Sequence, residues 1–178
     1  MPVYAALLRA INLGSRNKIS MPDLRQVFED LGAEDVRTHV QSGNVVFRST
    51  ERSPAKLVSA IEERIPADLG LEIKVLLRTK AELAEIVAGS PFAKDADHSK
   101  LHVTFLVAPP DPKRVAGLDP SKFEPDQFAV LGREVHLHCP NGYGRTKLSN
   151  TFLEKKLDRV GTTRNWKTVT TLAGMTDE

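Results

Sequence analysis

The order in which apolar patterns follow one another constrains the fold of this chain more than any other sequence feature. A continuous apolar run at residues 3–11 predicts a buried strand, and a helical stripe follows at residues 21–31. Two alternating runs within residues 36–49 predict strands joined by a hairpin-like turn. A second helix from residue 53 and a strand at residues 72–78 complete the order β-α-β-β-α-β.

The second half of the chain repeats most of this order. After a helix at residues 80–88, the patterns predict a strand, a short helix, a hairpin about Gly132-Arg133 and two helices, at residues 101–108, 112–116, 127–139, 149–159 and 165–173. We therefore predict an α+β fold of two ferredoxin-like (split βαβ) sub-domains. The first covers residues 1–78 as βαββαβ, and the second covers residues 79–178 as βαββα with a C-terminal helix.

Composition places the chain among globular proteins. Hydrophobic residues make up 40% and charged residues 27% of the 178 residues, and no apolar run approaches the roughly 20 residues of a membrane-spanning helix. The N-terminal MPVYAALLRAIN lacks a basic leader, so we expect no secretory signal and no membrane attachment. Cys139 is the single cysteine, which excludes an internal disulfide and favours a reducing cytoplasm.

Basic residues concentrate towards the two ends of the sequence. Residues 9–25 hold four basic side chains against one acidic, and residues 143–167 hold seven against two, whereas residues 26–142 hold 14 against 18. If folding gathers the basic segments on one face, that face favours an anionic partner. The alternative is ordinary solvated charge without a binding role.

Two basic loops share the pattern R-x-K-[I/L]-S. They read RNKIS at residues 16–20 and RTKLS at residues 145–149, and each follows glycine and leads into a predicted helix. A phosphate cradle is one interpretation, because a helix N-terminus offers N–H groups while Arg and Lys add charge. The other interpretations are solvated loops, coincidence and a trace of internal duplication.

The only tryptophan lies in the last strongly patterned stretch, TTRNWKTVTTL, residues 162–172. Asn165 is a natural N-cap, and Trp166, Val169 and Leu172 then follow one helical stripe. We therefore expect the indole in the core rather than on a surface that stacks against a ligand. Its polar neighbours would then meet an anion at this helix N-terminus.

Histidine and cysteine suggest neither a metal site nor a nucleophile. His136 and His138 point to one side of a predicted strand, with His102 as the candidate third ligand, but an exposed strand face explains them as well. Cys139 has no identifiable base, which favours a structural thiol. The following glycine-rich loop lacks the spacing of nucleotide-binding loops, and no hydrolase, zincin or kinase motif occurs. We predict no metal and no cofactor.

Four stretches of the sequence carry a resemblance to a known family: YAALLRAINLGSRNKISMPDLRQVFEDLGAEDVRTHVQSGNVVF, LHVTFL, KLSNTFLEKKL and TTRNWKTVTTL. With these stretches the chain resembles the bacterial family named domain of unknown function 1697 (DUF1697). The resemblance implies an α+β fold with two ferredoxin-like halves and brings no established activity. The polar positions that match the family's motifs are Arg9, Asn12, Lys18, Gln41, Ser42, Asn44, Lys147, Ser149, Asn150, Lys155, Arg164, Asn165 and Trp166.

The leading functional hypothesis is a binding module for a phosphate-bearing or other anionic ligand, either a small molecule or nucleic acid. One alternative is an enzyme acting on a small anionic metabolite, with Lys18 or Lys147 as an electrophilic clamp; another is a protein–protein interaction scaffold. RNA-binding modules on this scaffold stack bases on aromatic residues of their strands. Only Tyr4 and Phe47 could do so in the first half, so the sequence gives little support for sequence-specific RNA recognition.

No catalytic residue is identifiable from the sequence. The predicted anion-binding residues combine the two basic loops with polar positions at loops and helix starts, where binding groups tend to lie. They are Arg9, Asn12, Arg16, Lys18, Ser42, Asn44, Arg145, Lys147, Ser149, Asn150, Arg164 and Asn165.

Overall fold

The computed structural model describes residues 1–9, 18–39 and 43–177. In these residues the chain forms two four-stranded antiparallel sheets and six α-helices, which confirms the predicted α+β class. The chain divides into two compact units, Met1–Ala84 with Leu172–Glu178, and Glu85–Thr171. None of the helices in the described ranges is long and apolar enough to cross a membrane.

The first unit contains one antiparallel sheet with the strand order β2-β3-β1-β4. Its two longer helices each connect strands that are not neighbours in this order. The elements are β1 (Val3–Leu8), α1 (Met21–Asp30), β2 (Glu34–His39), β3 (Asn44–Arg48), α2 (Pro54–Leu69), β4 (Val75–Thr79) and α3 (Lys80–Ala88), the last of which continues into the second unit's range.

Side-chain caps explain where these helices begin. Ser20 Oγ accepts a hydrogen bond from the Asp23 amide (3.1 Å) and so caps the N-terminus of α1. Thr79 and Glu82 form a reciprocal capping box at α3, in which each side chain accepts from the other residue's amide.

The core of the first unit lies between one face of its sheet and the helices α1 and α2. Tyr4 and Phe47 face each other across β1 and β3 with ring centroids 5.7 Å apart, and Phe28 of α1 packs on Phe47 at 5.1 Å. Tyr4 is 2% exposed and Phe47 is 1% exposed. Tyr4 and Phe47 therefore offer no base-stacking surface, because α1 and α2 cover that face.

The second unit repeats the arrangement with the strand order β6-β7-β5-β8. Its hairpin turns at Gly132-Arg133, as the sequence predicts. The elements are β5 (Leu101–Leu106), α4 (Pro112–Ala116), β6 (Gln127–Leu131), β7 (Glu134–His138), α5 (Asn150–Leu157), β8 (Gly161–Asn165) and α6 (Trp166–Thr176).

Strand β8 corrects the predicted βαββα order of the second sub-domain, which is βαββαβ in the structure. The sequence GTTRN lacks the apolar alternation that usually indicates a strand. Pairing with β5 forms it instead, and a hydrogen bond between the hydroxyls of Thr104 and Thr163 (2.7 Å) links the two strands.

The two compact units also differ from the predicted ranges 1–78 and 79–178. Residues 79–84 and Leu172–Glu178 group with the first unit. Two contacts explain the grouping of the C-terminal residues: Arg37 Nη2 donates to the Met175 carbonyl (2.8 Å), and Lys80 Nζ lies 3.3 Å from Asp177 Oδ1.

Candidate anion-binding site

The basic loop between β7 and α5, residues 139–149, is shaped by its own backbone. The Cys139 amide donates to the Lys100 carbonyl (2.9 Å), and the Gly142 amide donates to the Cys139 carbonyl (2.9 Å). Gly142 has φ 94°, a conformation that only glycine adopts without strain, and a short 3-10 turn follows at Tyr143–Arg145. The loop therefore turns sharply before it reaches its two cationic residues.

Alternate residues of this loop point inward and outward. Thr146 Oγ1 donates to Asp126 Oδ2 (2.7 Å) and accepts from the Leu148 amide (3.1 Å), while the Leu148 side chain is fully buried. Arg145 and Lys147, which lie between and beside these residues, are exposed. Fixing Thr146 and Leu148 thus holds the two cationic residues on the outer side of the loop.

Arg145 and Lys147 line one small cavity together with Lys122. Its volume is about 190 Å³, and its walls are Lys122, Phe123, Glu124, Pro125, Asp126, Asn141, Arg145 and Lys147. Sequence reasoning did not identify Lys122 or Asn141. The register of the β6–β7 hairpin places both residues at the cavity. Gln127 pairs with His138, so residues 122–126 run beside the loop that follows β7, which contains Asn141.

The charges of this cavity are mixed but net positive. Three cationic side chains face two carboxylates, Glu124 and Asp126, and Asp126 already accepts the Thr146 hydroxyl. Among the described residues, neither Arg145 nor Lys147 has an ion-pair partner within 4.0 Å. Both cations are therefore available to an anionic ligand.

The N-terminus of α5 uses its amides for its own structure. Ser149 is the N-cap and accepts from the Phe152 amide (3.2 Å), and the Tyr143 hydroxyl accepts from the Asn150 amide (2.9 Å). The sequence predicts that Ser149 and the N-terminus of α5 bind an anion. The structure instead gives Ser149 a capping role, so the cationic side chains are the groups left for binding.

Asn150 connects α5 to strand β8. Its Nδ2 donates to the Gly161 carbonyl (3.0 Å), and its Oδ1 accepts from the Thr163 hydroxyl (3.0 Å). Glu154 adds a third connection by accepting from the Gly161 amide (2.8 Å). Both polar ends of the Asn150 side chain are thus used inside the fold.

Replacing Asn150 by alanine is expected to lower the free energy of unfolding by about 1–3 kcal/mol, because the buried Gly161 carbonyl loses its donor. Chemical denaturation measures the change. Asn141→Ala is the matched control, since Asn141 is exposed and its side chain has no hydrogen bond within the described ranges. Equal stability of the two variants would contradict the structural role of Asn150.

Arg164 and Asn165 also have partners of their own. Arg164 is 7% exposed and donates through Nη1 to Thr162 Oγ1 (2.6 Å) and to the Thr163 carbonyl (3.1 Å). Burial lowers its pKa to about 10, which leaves it protonated at neutral pH. Asn165 accepts from the Thr168 amide (2.8 Å), which confirms the predicted N-cap of α6.

The first unit contains a counterpart of Arg164. Arg78 is the fourth residue of β4, as Arg164 is of β8, and each donates to the carbonyl of the residue before it. Arg78 lies opposite Ala5 in β1, and Arg164 lies opposite Val103 in β5, each the third residue of its strand. Equivalent positions of the two sheets therefore each hold a buried arginine.

Trp166 is 4% exposed, which confirms the expectation that the indole belongs to the core. It is the first residue of α6, and its ring meets the edge of His98 at 6.2 Å between centroids. A stacking surface at this position is therefore not available to a ligand.

The other predicted residues lie in the sequence range of the first unit. Arg9 is half-buried and its amide donates to the Lys74 carbonyl (2.9 Å), and Lys18 is exposed. Asn44 is buried and its Nδ2 donates to the His39 carbonyl (2.9 Å), which closes the end of the β2–β3 pair. Asn12, Arg16 and Ser42 lie outside the described residues.

The two R-x-K-[I/L]-S loops occupy different places in the repeated fold. Ser20 caps α1, the first helix of the first unit, whereas Ser149 caps α5, which follows the hairpin of the second unit. The counterpart of Ser149 in the first unit is Ser53, the N-cap of α2. The interpretation of the two loops as a trace of duplication is therefore wrong.

Sheet register separates the candidate metal ligands. His136 pairs with Val103 and His138 pairs with Leu101, so both histidines point to one face. His102 lies between those partners and points to the opposite face, where it stacks on Tyr143 with ring centroids 4.6 Å apart. Within the described ranges no group of three or more His, Cys, Asp or Glu could hold a metal ion.

Cys139 is fully buried among the apolar side chains of the second unit. Burial raises the pKa of its thiol, against the smaller opposing effect of a hydrogen bond with Thr146. The protonated thiol is a poor nucleophile, which agrees with the structural role predicted for it.

Comparison with known proteins places the chain in a family. The model of the family described as "Protein of unknown function (DUF1697)" matches residues 1–136. The chain belongs to the DUF1697 family. A solved structure described as the conserved bacterial protein SP0830 from Streptococcus pneumoniae is 25% identical to this DUF1697 protein. That comparison covers 98% of both chains with a TM-score of 0.79. No curated protein matches the chain.

Proposed function

We propose that this DUF1697 protein binds a phosphate-bearing ligand through Lys122, Arg145 and Lys147 of its second unit. The observation that carries the proposal is the shared cavity of these three cationic side chains, of which Arg145 and Lys147 have no ion-pair partner among the described residues. Arg offers a planar fork of donors and Lys a compact charge, and both bind phosphate oxygens by charge-assisted hydrogen bonds.

The size and shape of the cavity support a small anionic group. A volume of about 190 Å³ is many times the roughly 10–15 Å³ that one bound water requires, so the cavity has room for a phosphate group with some hydration. Glu124 and Asp126 repel further negative charge and so disfavour an extended row of phosphates. These features favour a small phosphate ester over a long polyanion.

We also infer that both units are ferredoxin-like split-βαβ sandwiches. The repeated order β-α-β-β-α-β and the antiparallel strand orders β2-β3-β1-β4 and β6-β7-β5-β8 support this inference. A cytoplasmic location is likewise our proposal, supported by the single buried Cys139, which forms no internal disulfide.

Calorimetric titration with pyrophosphate tests the proposed function. At low ionic strength we expect saturable binding with one site per chain, and the affinity should fall several-fold as salt is added, because salt screens exposed charges. Inorganic sulfate, a single tetrahedral anion of lower charge, provides a comparison and should bind more weakly. The absence of any saturable binding of pyrophosphate at low salt would reject the proposal.

A further inference from the structure

A second cavity adjoins the cationic one and has a different chemistry. Its volume is about 650 Å³, and its walls are Phe92, Pro120, Glu124, Pro125, Asp126, Gln127 and Phe128. The segment Glu124-Pro125-Asp126 lines both cavities. The two cavities are therefore neighbours along this segment.

Two aromatic rings make the larger cavity suitable for a flat ring. Phe92 and Phe128 are half-buried, so each ring keeps an accessible portion while the rest is packed. Phe92 lies 6.0 Å from the His138 ring, and Phe128 meets Phe123 edge to face at 5.8 Å, which fixes the orientation of both phenylalanines. Fixed, partly open aromatic rings are favourable stacking surfaces for a heterocyclic base.

The larger cavity is lined by two carboxylates and by the amide side chain of Gln127. Glu124 is exposed and Asp126 is half-buried, with Asp126 Oδ2 already accepting from Thr146. Gln127 Oε1 lies 3.1 Å from His138 Nδ1. Carboxylates beside aromatic rings disfavour an anionic group here and favour a ring that carries N–H donors.

We infer that the two cavities together bind a guanine nucleotide, with the phosphate at Lys122, Arg145 and Lys147 and the base in the cavity lined by Phe92 and Phe128. This inference rests on the proposed function and names its ligand class. Guanine presents its ring N1–H and its 2-amino group side by side, and the two oxygens of the exposed Glu124 carboxylate accept one each. Adenine lacks that pair of donors, so the carboxylates discriminate against it.

Parallel calorimetric titrations with GMP, AMP, ribose 5-phosphate and pyrophosphate test the inference. We expect GMP to bind about tenfold more tightly than ribose 5-phosphate, because base stacking is added, and more tightly than AMP. Phe92→Ala should remove most of the advantage of GMP while pyrophosphate still binds, which shows that the second unit is folded. Glu124→Gln, at an exposed side chain, should reduce the preference for GMP over AMP.

The titrations distinguish the nucleotide inference from the proposal that the cationic cavity binds phosphate. If pyrophosphate binds but GMP binds no more tightly than ribose 5-phosphate, the nucleotide inference is overturned and the anion site stands. If neither pyrophosphate nor GMP binds, both are overturned. An oligonucleotide that binds far more tightly than GMP, with an affinity that grows with its length, would also overturn the inference in favour of a nucleic-acid surface.

Discussion

Replacing Arg145 and Lys147 together by alanine is expected to weaken pyrophosphate binding by at least about tenfold, because two of the three cations that line the cavity are lost. The unfolding midpoint should not change, since both side chains are exposed and take part in no ion pair within the described ranges. Calorimetry measures the affinity, and thermal unfolding followed by circular dichroism measures the stability.

A charge-matched variant distinguishes binding of pyrophosphate at the cavity from attraction of pyrophosphate by the net charge of the protein. Lys56→Ala with Lys113→Ala removes the same number of positive charges from exposed positions on α2 and α4. We expect this variant to bind pyrophosphate as the wild type does at moderate salt. Equal losses of affinity in the two double variants would mean that net charge, not the cavity, attracts the anion.

Phe47→Ala is expected to lower the free energy of unfolding by about 3–5 kcal/mol, the largest effect on stability that we predict. Phe47 is 1% exposed and packs against Tyr4 and Phe28, so truncation leaves a cavity between the sheet and the helices. Denaturant titration measures the change, and binding of pyrophosphate to the folded fraction should be unaffected.

Two control variants calibrate that result. Phe47→Leu keeps most of the buried volume and should cost less than the alanine variant. Val107→Ala truncates a residue that is 43% exposed, and its effect should be near zero. A Phe47→Ala variant as stable as the wild type would contradict our conclusion that this sheet face is closed.

Apolar periodicity was sufficient to predict most of the fold. The stripe of Leu24, Val27 and Phe28 is buried as a 3.6-residue period requires, and the strands and the hairpin about Gly132 occur near their predicted positions. Strand β8 escaped prediction because threonines and an arginine form it through cross-strand hydrogen bonds, and their pattern resembles a polar loop.

The candidate site was only partly predictable for a related reason. Residue type and loop position singled out Arg145 and Lys147, but the same criteria also selected Ser149, Asn150 and Asn165, whose side chains form caps and cross-links. Polar residues at helix starts serve structure and binding with the same atoms. Sequence alone does not show which of the two uses a given side chain has.

Lys122 could have been found from the hairpin itself. A two-residue turn at Gly132-Arg133 pairs Leu131 with Glu134 and therefore Gln127 with His138. Extending this register by a few residues brings the segment before β6 beside the basic loop after β7. The register of a predicted hairpin thus carries information about the site that residue motifs do not.

Mapping pyrophosphate binding by two-dimensional amide NMR tests the central claim most directly. We predict dose-dependent shifts in the backbone amides of Lys122, Asp126, Arg145 and Lys147, which line the cationic cavity. The amide chemical shifts of the first unit, including those of Arg9 and Lys18, should not change. Shifts centred on Arg9 and Lys18, with none at Arg145 and Lys147, would contradict our assignment of the site.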